Sequence, residues 1–185
     1  IFITHEHSDH IGGIGVMSRG FDIPVYANEL TWEAMRESVG AISEKNVKCF
    51  SNSDEFEING ACISPFKTPH DAADSVGYCI DIGNLKTAVA TDMGHLSEEV
   101  MKRLEDRDIV LLEANHDVEM LKNGRYPVPL KKRILGDRGH LSNDVSAQIA
   151  VRLLKSGTRA ILLGHLSEEN NLPQIAYDVV RNALT

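Results

Sequence analysis

The sequence predicts a layered α/β fold. Short runs rich in Val, Ile and Thr, bounded by turn residues, alternate in mixed order with stretches whose apolar residues recur at helical spacing. With 42% apolar residues among 185, the chain can bury one substantial core. No shift of composition divides it, so residues 1–185 are expected to form a single domain.

In chain order, strands are predicted at residues 1–4, 23–26, 61–67, 76–82, 86–91, 109–113 and 159–163, each a short apolar or alternating run. Gly83-Asn84 is suited to a tight hairpin turn between two of them. Helices are clearest at residues 98–104, 143–155 and 173–184. In the second, Val145, Ile149 and Leu153 recur every four residues, Ser142 offers an N-cap and Gly157 a stop. In the third, Ile175, Ala176, Val179, Val180, Ala183 and Leu184 form an apolar stripe read as core packing. Residues 126–138, with Pro127 and Pro129, fit no regular element and read as a long loop of the kind that carries function.

Composition narrows the function. A formal net charge of −8 argues against a surface adapted throughout to nucleic acid. Yet Lys122, Arg125, Lys131, Lys132, Arg133 and Arg138 stand against Asp137 alone in residues 121–138, a local excess that can engage a polyanion. No apolar run is long enough to cross a bilayer and no signal-peptide pattern opens the chain, so no membrane partner is expected. Cys49, Cys62 and Cys79 form an odd set without CxxC spacing, which fits a cytoplasmic location.

The chemistry is concentrated in Thr4-His5-Glu6-His7-Ser8-Asp9-His10. After a strand, residues two apart project to one side, so His5 and His7 can share one cation while Asp9 and His10 reach another. Gly12-Gly13 then lets the backbone turn tightly. Three more candidates stand after strands: His70, Asp92 and His165. Gly-His-Leu-Ser occurs three times, at residues 94–97, 139–142 and 164–167, and in the first two the Ser is placed to cap the following helix.

Taken together, His-x-His-x-Asp-His followed by His, Asp and His at successive strand ends resembles the metallo-β-lactamase fold superfamily. The resemblance implies an αββα sandwich with a dinuclear centre. His5, His7 and His70 would hold one ion, Asp9, His10 and His165 the other, and Asp92 would bridge them. Family members normally carry several strands and an Asp-x-Gly element before the first His cluster. None stands here, so the chain is expected to lack its N-terminal strands. Two divalent cations less Asp9, Asp92 and a bridging hydroxide leave about +1, a centre that attracts an anion and activates water.

In tRNase Z and related phosphodiesterases of this superfamily, a Glu and a His beside the metals assist proton transfer. Glu113 in Leu-Glu-Ala-Asn and His140 in Gly-His-Leu-Ser occupy matching places, so His140 reads as general acid and Glu113 as its partner, with Asp9 as a further catalytic candidate. Blocks at residues 69–72, 113–117, 139–143 and 163–167 resemble the YycJ/WalJ-like group more closely, which implies a metal-dependent nuclease, including exonucleases on duplex DNA. His116 is expected to face the substrate, and Lys131, Lys132 and Arg133 to grip a phosphate backbone, with Tyr126 the one nearby aromatic. His95 is left outside the ligand set. The ligands suit zinc, manganese or iron alike. Two other readings stay open: hydrolysis of a small ester, thioester or lactone, and a non-catalytic di-iron sensor.

Overall fold

The computed structural model describes residues 1–185. The first four residues form one parallel bridge, Phe2 to Tyr26, and not the strand expected there. The ladder stops because at Thr4 the chain changes partner: its carbonyl accepts from Val76 N at 3.0 Å, while Ile3 N still donates to Tyr26. Two short helices follow, α1 (Ser8–Ile11) and α2 (Ile14–Phe21), then β1 (Val25–Asn28), α3 (Glu29–Val39) and β2 (Val47–Phe50). The Asn28 side chain caps α3 by accepting from Thr31 N. Strands β1 and β2 pair in parallel as a two-stranded sheet.

The second sheet has six strands in sequence order: β3 (Phe56–Ile58), β4 (Ala61–Lys67), β5 (Val76–Ile82), β6 (Leu85–Ala90), β7 (Ile109–Glu113) and β8 (Ala160–Gly164). β3 to β6 run antiparallel, whereas β6, β7 and β8 are parallel. Ile82 pairs with Leu85, so Gly83-Asn84 is the expected two-residue turn, with Gly83 at φ +58°. The parallel connections are made by α4 (Glu98–Leu104) and, after α5 (Val118–Asn123) and α6 (Val128–Ile134), by α7 (Asn143–Lys155). The chain ends in α8 (Pro173–Leu184). Ser97 and Ser142 cap α4 and α7, accepting from Val100 N and Val145 N.

Residues 126–138 are corrected: they contain α6. Pro127 is its N-cap and Pro129 lies in its first turn, where a missing N–H costs nothing.

Four layers result. Val100, Met101 and Leu104 of α4 and Ile149 and Leu153 of α7 bury one face of the large sheet against Ala88, Val110 and Leu112. On the other face, Ile63, Val76 and Tyr78 meet Phe50 and Tyr26 of the small sheet. That sheet is backed in turn by Trp32, Met35 and Val39 of α3. α8 packs on α7 through Val180, Ala147 and Ala150, and it leaves Ala183 and Leu184 exposed, so the predicted stripe is only partly core. No helix is long and apolar enough to cross a membrane.

Candidate metal centre

The strand ends of both sheets deliver polar side chains to one place. His5 and His7 leave the bridged segment; His70 follows β4, Asp92 follows β6 and His165 follows β8. Asp92 and His165 adopt left-handed backbone, at φ +59° and +55°. Such residues persist only where surrounding contacts hold them.

Four groups have ligand atoms within 4.8 Å of one another: His5, His7 and His70; His5, His10 and Asp92; Asp9, His10 and His165; and Asp92, Glu113, His140 and His165. Asp92 is central, its carboxylate lying 3.5 Å from His10 and His165 and 3.7 Å from His70. All seven residues predicted as ligands therefore converge.

The ring nitrogens are arranged for a cation. His70 Nδ1 donates to Gly139 O at 3.1 Å, which leaves Nε2 with its lone pair, 3.3 Å from His7 Nδ1. Thr4 Oγ1 lies 3.1 and 3.3 Å from Nδ1 of His5 and His10, fixing both rings to present Nε2. Nε2 of His5 and Oδ2 of Asp92 are buried without a hydrogen-bond partner. Burial, then the charges of His10 and His7, hold His5 down to about 2, so its lone pair is free at any working pH. Orphaned buried donors of this chemistry fit divalent metal ions.

Beside this set lies a fully buried carboxylate. Glu113 Oε1 accepts from His140 Nδ1 at 2.7 Å and from His165 Nδ1 at 3.0 Å, and Oε2 accepts from Met93 N at 2.9 Å. Burial would raise Glu113, but the hydrogen bonds from His140 and His165 outweigh it and hold the group at about 2. Burial likewise opposes charge on His165, yet the Glu113 bond and the Asp92 charge push it up to about 9.

The remaining predicted residues fare differently. A cleft of about 680 Å³ opens on the site, with His7, Asp9, Asp92, His140 and His165 in its lining and Arg133 and Tyr126 on one wall. Arg133 is paired with Asp71, the neighbour of His70. Lys132 is exposed and stands outside the cleft lining. Lys131 does not face a substrate: its ammonium donates to the carbonyls of Lys122 and Gly124, tying α5 to α6. His116 is corrected also. Its ring is 1% exposed and neither nitrogen has a partner, because the segment after β7 turns inward to bridge Ser142.

Several contributors carry no motif of their own. Asn115 Nδ2 donates to His165 O at 3.0 Å, and Asn171 Nδ2 holds the carbonyls of Ala114 and Asn115. Arg138 donates to His70 O. Asn115 stands inside the block around Glu113, whereas Arg138 appears in sequence only as one cation of the basic segment and Asn171 lies beyond the block around His165.

Residues 1–165 match the model of the beta-lactamase superfamily domain. The chain belongs to this superfamily. Two relatives place it in the YycJ/WalJ-like group: the exodeoxyribonuclease YycJ of Bacillus anthracis is 41% identical over 95% of this chain and 67% of its own length. The exodeoxyribonuclease WalJ of Streptococcus pneumoniae serotype 2 is 40% identical over 100% of this chain and 69% of its own. Among solved structures, the metallo-β-lactamase fold protein YhfI of Bacillus subtilis superposes with a TM-score of 0.74 at 17% identity, covering 98% of this chain and 70% of that one. The αββα layering of this member of the superfamily is the metallo-β-lactamase fold.

Proposed function

We propose that this protein is a dinuclear metal-dependent phosphodiesterase that acts on DNA as an exonuclease. The observation that carries the reading is the convergence of seven ligand-type side chains on one floor, with the Glu113–His140 pair beside it. The names of the YycJ and WalJ relatives support the substrate class. Zinc, manganese and iron all suit the donors.

His5, His7 and His70 would hold one ion, Asp9, His10 and His165 the second, with Asp92 facing both. When bound, two such ions make water acidic enough to attack near neutral pH and offset charge on the phosphodiester. His140, in the cleft, supplies a proton to the leaving alkoxide, a poor leaving group without one. Glu113 keeps that ring in its tautomer and offsets its positive charge. Asp9, 68% exposed, lies at the mouth, 3.4 Å from His10 Nε2. Lys132 and Arg133 attract the phosphate backbone without reading sequence. Cys49, Cys62 and Cys79 are free thiols, which fits the cytoplasm.

The test is incubation of the protein with end-labelled single- and double-stranded DNA and RNA under Zn²⁺, Mn²⁺ or Fe²⁺, beside Asp92→Ala. Stepwise shortening of DNA from an end, lost in Asp92→Ala, is expected. Turnover of a thioester or lactone with no cleavage of any nucleic acid would overturn the reading.

A further inference from the structure

We propose that Arg138 is a positioning residue that makes the seating of His70 and of His140 one mechanical unit. The inference rests on the reading of His5, His7 and His70 as ligands of one ion, and it adds a residue to which that reading gives no role.

Three consecutive residues act on the site. Arg138 Nε and Nη2 both donate to the His70 carbonyl, at 2.9 and 2.6 Å. Gly139 O accepts from Nδ1 of the same His70 at 3.1 Å. His140, next in the chain, is held by Glu113 at 2.7 Å. One tripeptide thus grips a candidate ligand by backbone and by ring, and carries the candidate acid.

The surroundings leave this strap little freedom. A Cβ on Gly139 would lie 2.1 Å from Ile134 O, so the strap presses directly on the end of α6. A Cβ on Gly94 would lie 2.2 Å from the carbonyl carbon of Asp137, so the loop that carries Asp92 presses on it from the other side. Gly94 N also donates to Pro69 O at 2.9 Å, which joins that loop to the residue before His70. Displacement of residues 137–140 therefore moves His70 and His140 together.

The guanidinium is suited to the task. Its planar fork places two donors on one acceptor and fixes the direction of approach, which a lysine ammonium cannot reproduce. Without Arg138, the His70 carbonyl loses both donors, and the ring keeps its contacts with Gly139 O at Nδ1 and His7 at Nε2. Partners that hold ligands in place typically change metal affinity on the order of 10–100-fold. The ion at His5, His7 and His70 is expected to weaken by that factor, and the ion at Asp9, His10 and His165 much less.

The experiment uses the whole chain stripped of metal. Zn²⁺ is titrated against a chromophoric chelator, and Co²⁺ visible absorption is recorded, for wild type, Arg138→Ala, Arg138→Lys and Lys155→Ala. Lys155, exposed on α7 away from the site, controls for loss of one charge. Expected are two ions in wild type and in Lys155→Ala, one of them weakened roughly 10–100-fold in Arg138→Ala with an altered Co²⁺ spectrum, and an intermediate state in Arg138→Lys. If Arg138→Ala does not fold, as its metal-free melting reports, Arg138→Lys decides alone: affinities and spectrum equal to wild type overturn the proposal. So do unchanged affinities in a folded Arg138→Ala. Failure of wild type to bind any ion would instead sink the ligand reading itself.

Discussion

At the residue scale, Glu113 organises the site, because one buried carboxylate orients both a candidate ligand and the candidate acid. Replacing His140 by Ala is expected to lower kcat on the order of 10²–10⁴-fold with the bound metal unchanged, measured as turnover against metal content by atomic emission. Glu113→Gln loses charge beneath both rings, so it should lower turnover and metal content together.

The same group makes a prediction without metal. Its folded pKa, about 2, lies below its ordinary 4.5. A depressed carboxyl stabilises the fold above its unfolded pKa and loses that contribution as pH falls through the folded value. Metal-free protein should thus lose roughly 3 kcal/mol between about pH 4.5 and 2, and Glu113→Gln should show a flatter profile in acid denaturation. The seven ligand-type residues, Glu113 and His140 were legible because their side-chain chemistry is distinctive and sits in short blocks. Arg138 and Gly139 were not, since they act through backbone carbonyls on a partner 68 or 69 residues away.

At the element scale, β4, β5, β7, α4, α7 and α8 carry the predicted bounds, each set by clean periodicity or by a capping Ser. The short helices before β1 escape such reading. α2 includes Gly15 and Gly20, poor helix formers, and Gly15 is required because a Cβ would lie 1.9 Å from Val39 O. α6 is masked by its two prolines, which mark a loop in sequence and a helix start in the fold.

The contact of α6 with Gly139 gives a test. Gly139→Ala must displace Ile134 or His140, so a loss of about 1–3 kcal/mol by urea denaturation is expected together with loss of turnover. Within α6 the two lysines should separate. Lys132→Ala should weaken DNA binding and lower the salt slope by about one, whereas Lys131→Ala, which removes ties to Lys122 and Gly124, should chiefly lower thermal stability.

At the scale of the whole molecule, the candidate ligands come from separate layers. His5, His7 and His10 belong to the segment bridged to β1 and to α1, and His70, Asp92 and His165 to the ends of three strands of the large sheet. The segment that carries His5, His7 and His10 is tied to the large sheet by Val76 N to Thr4 O at 3.0 Å, Tyr78 Oη to Ile3 O at 2.5 Å and Ala73 N to Glu6 Oε1 at 2.8 Å, while among the ligand rings His7 meets His70 at 3.3 Å. Cations held between them would cross-link the two sheets at the strand ends, where the buried donors of His5 and Asp92 stand without partners. Binding to the folded state alone adds about 2.7 kcal/mol when free metal is 100 times its dissociation constant. For a chain of this size that corresponds to a rise in Tm of roughly 5–10 °C. Calorimetric scans with Zn²⁺ or Mn²⁺ should show the rise, and a chelator should reverse it. Because Asp92 faces both sets of ligands, Asp92→Ala should lose most of the rise, while a substitution on the exposed surface of α8, such as Asn182→Ala, should retain it. An equal rise in wild type and Asp92→Ala would show that the cations bind somewhere other than between the sheets.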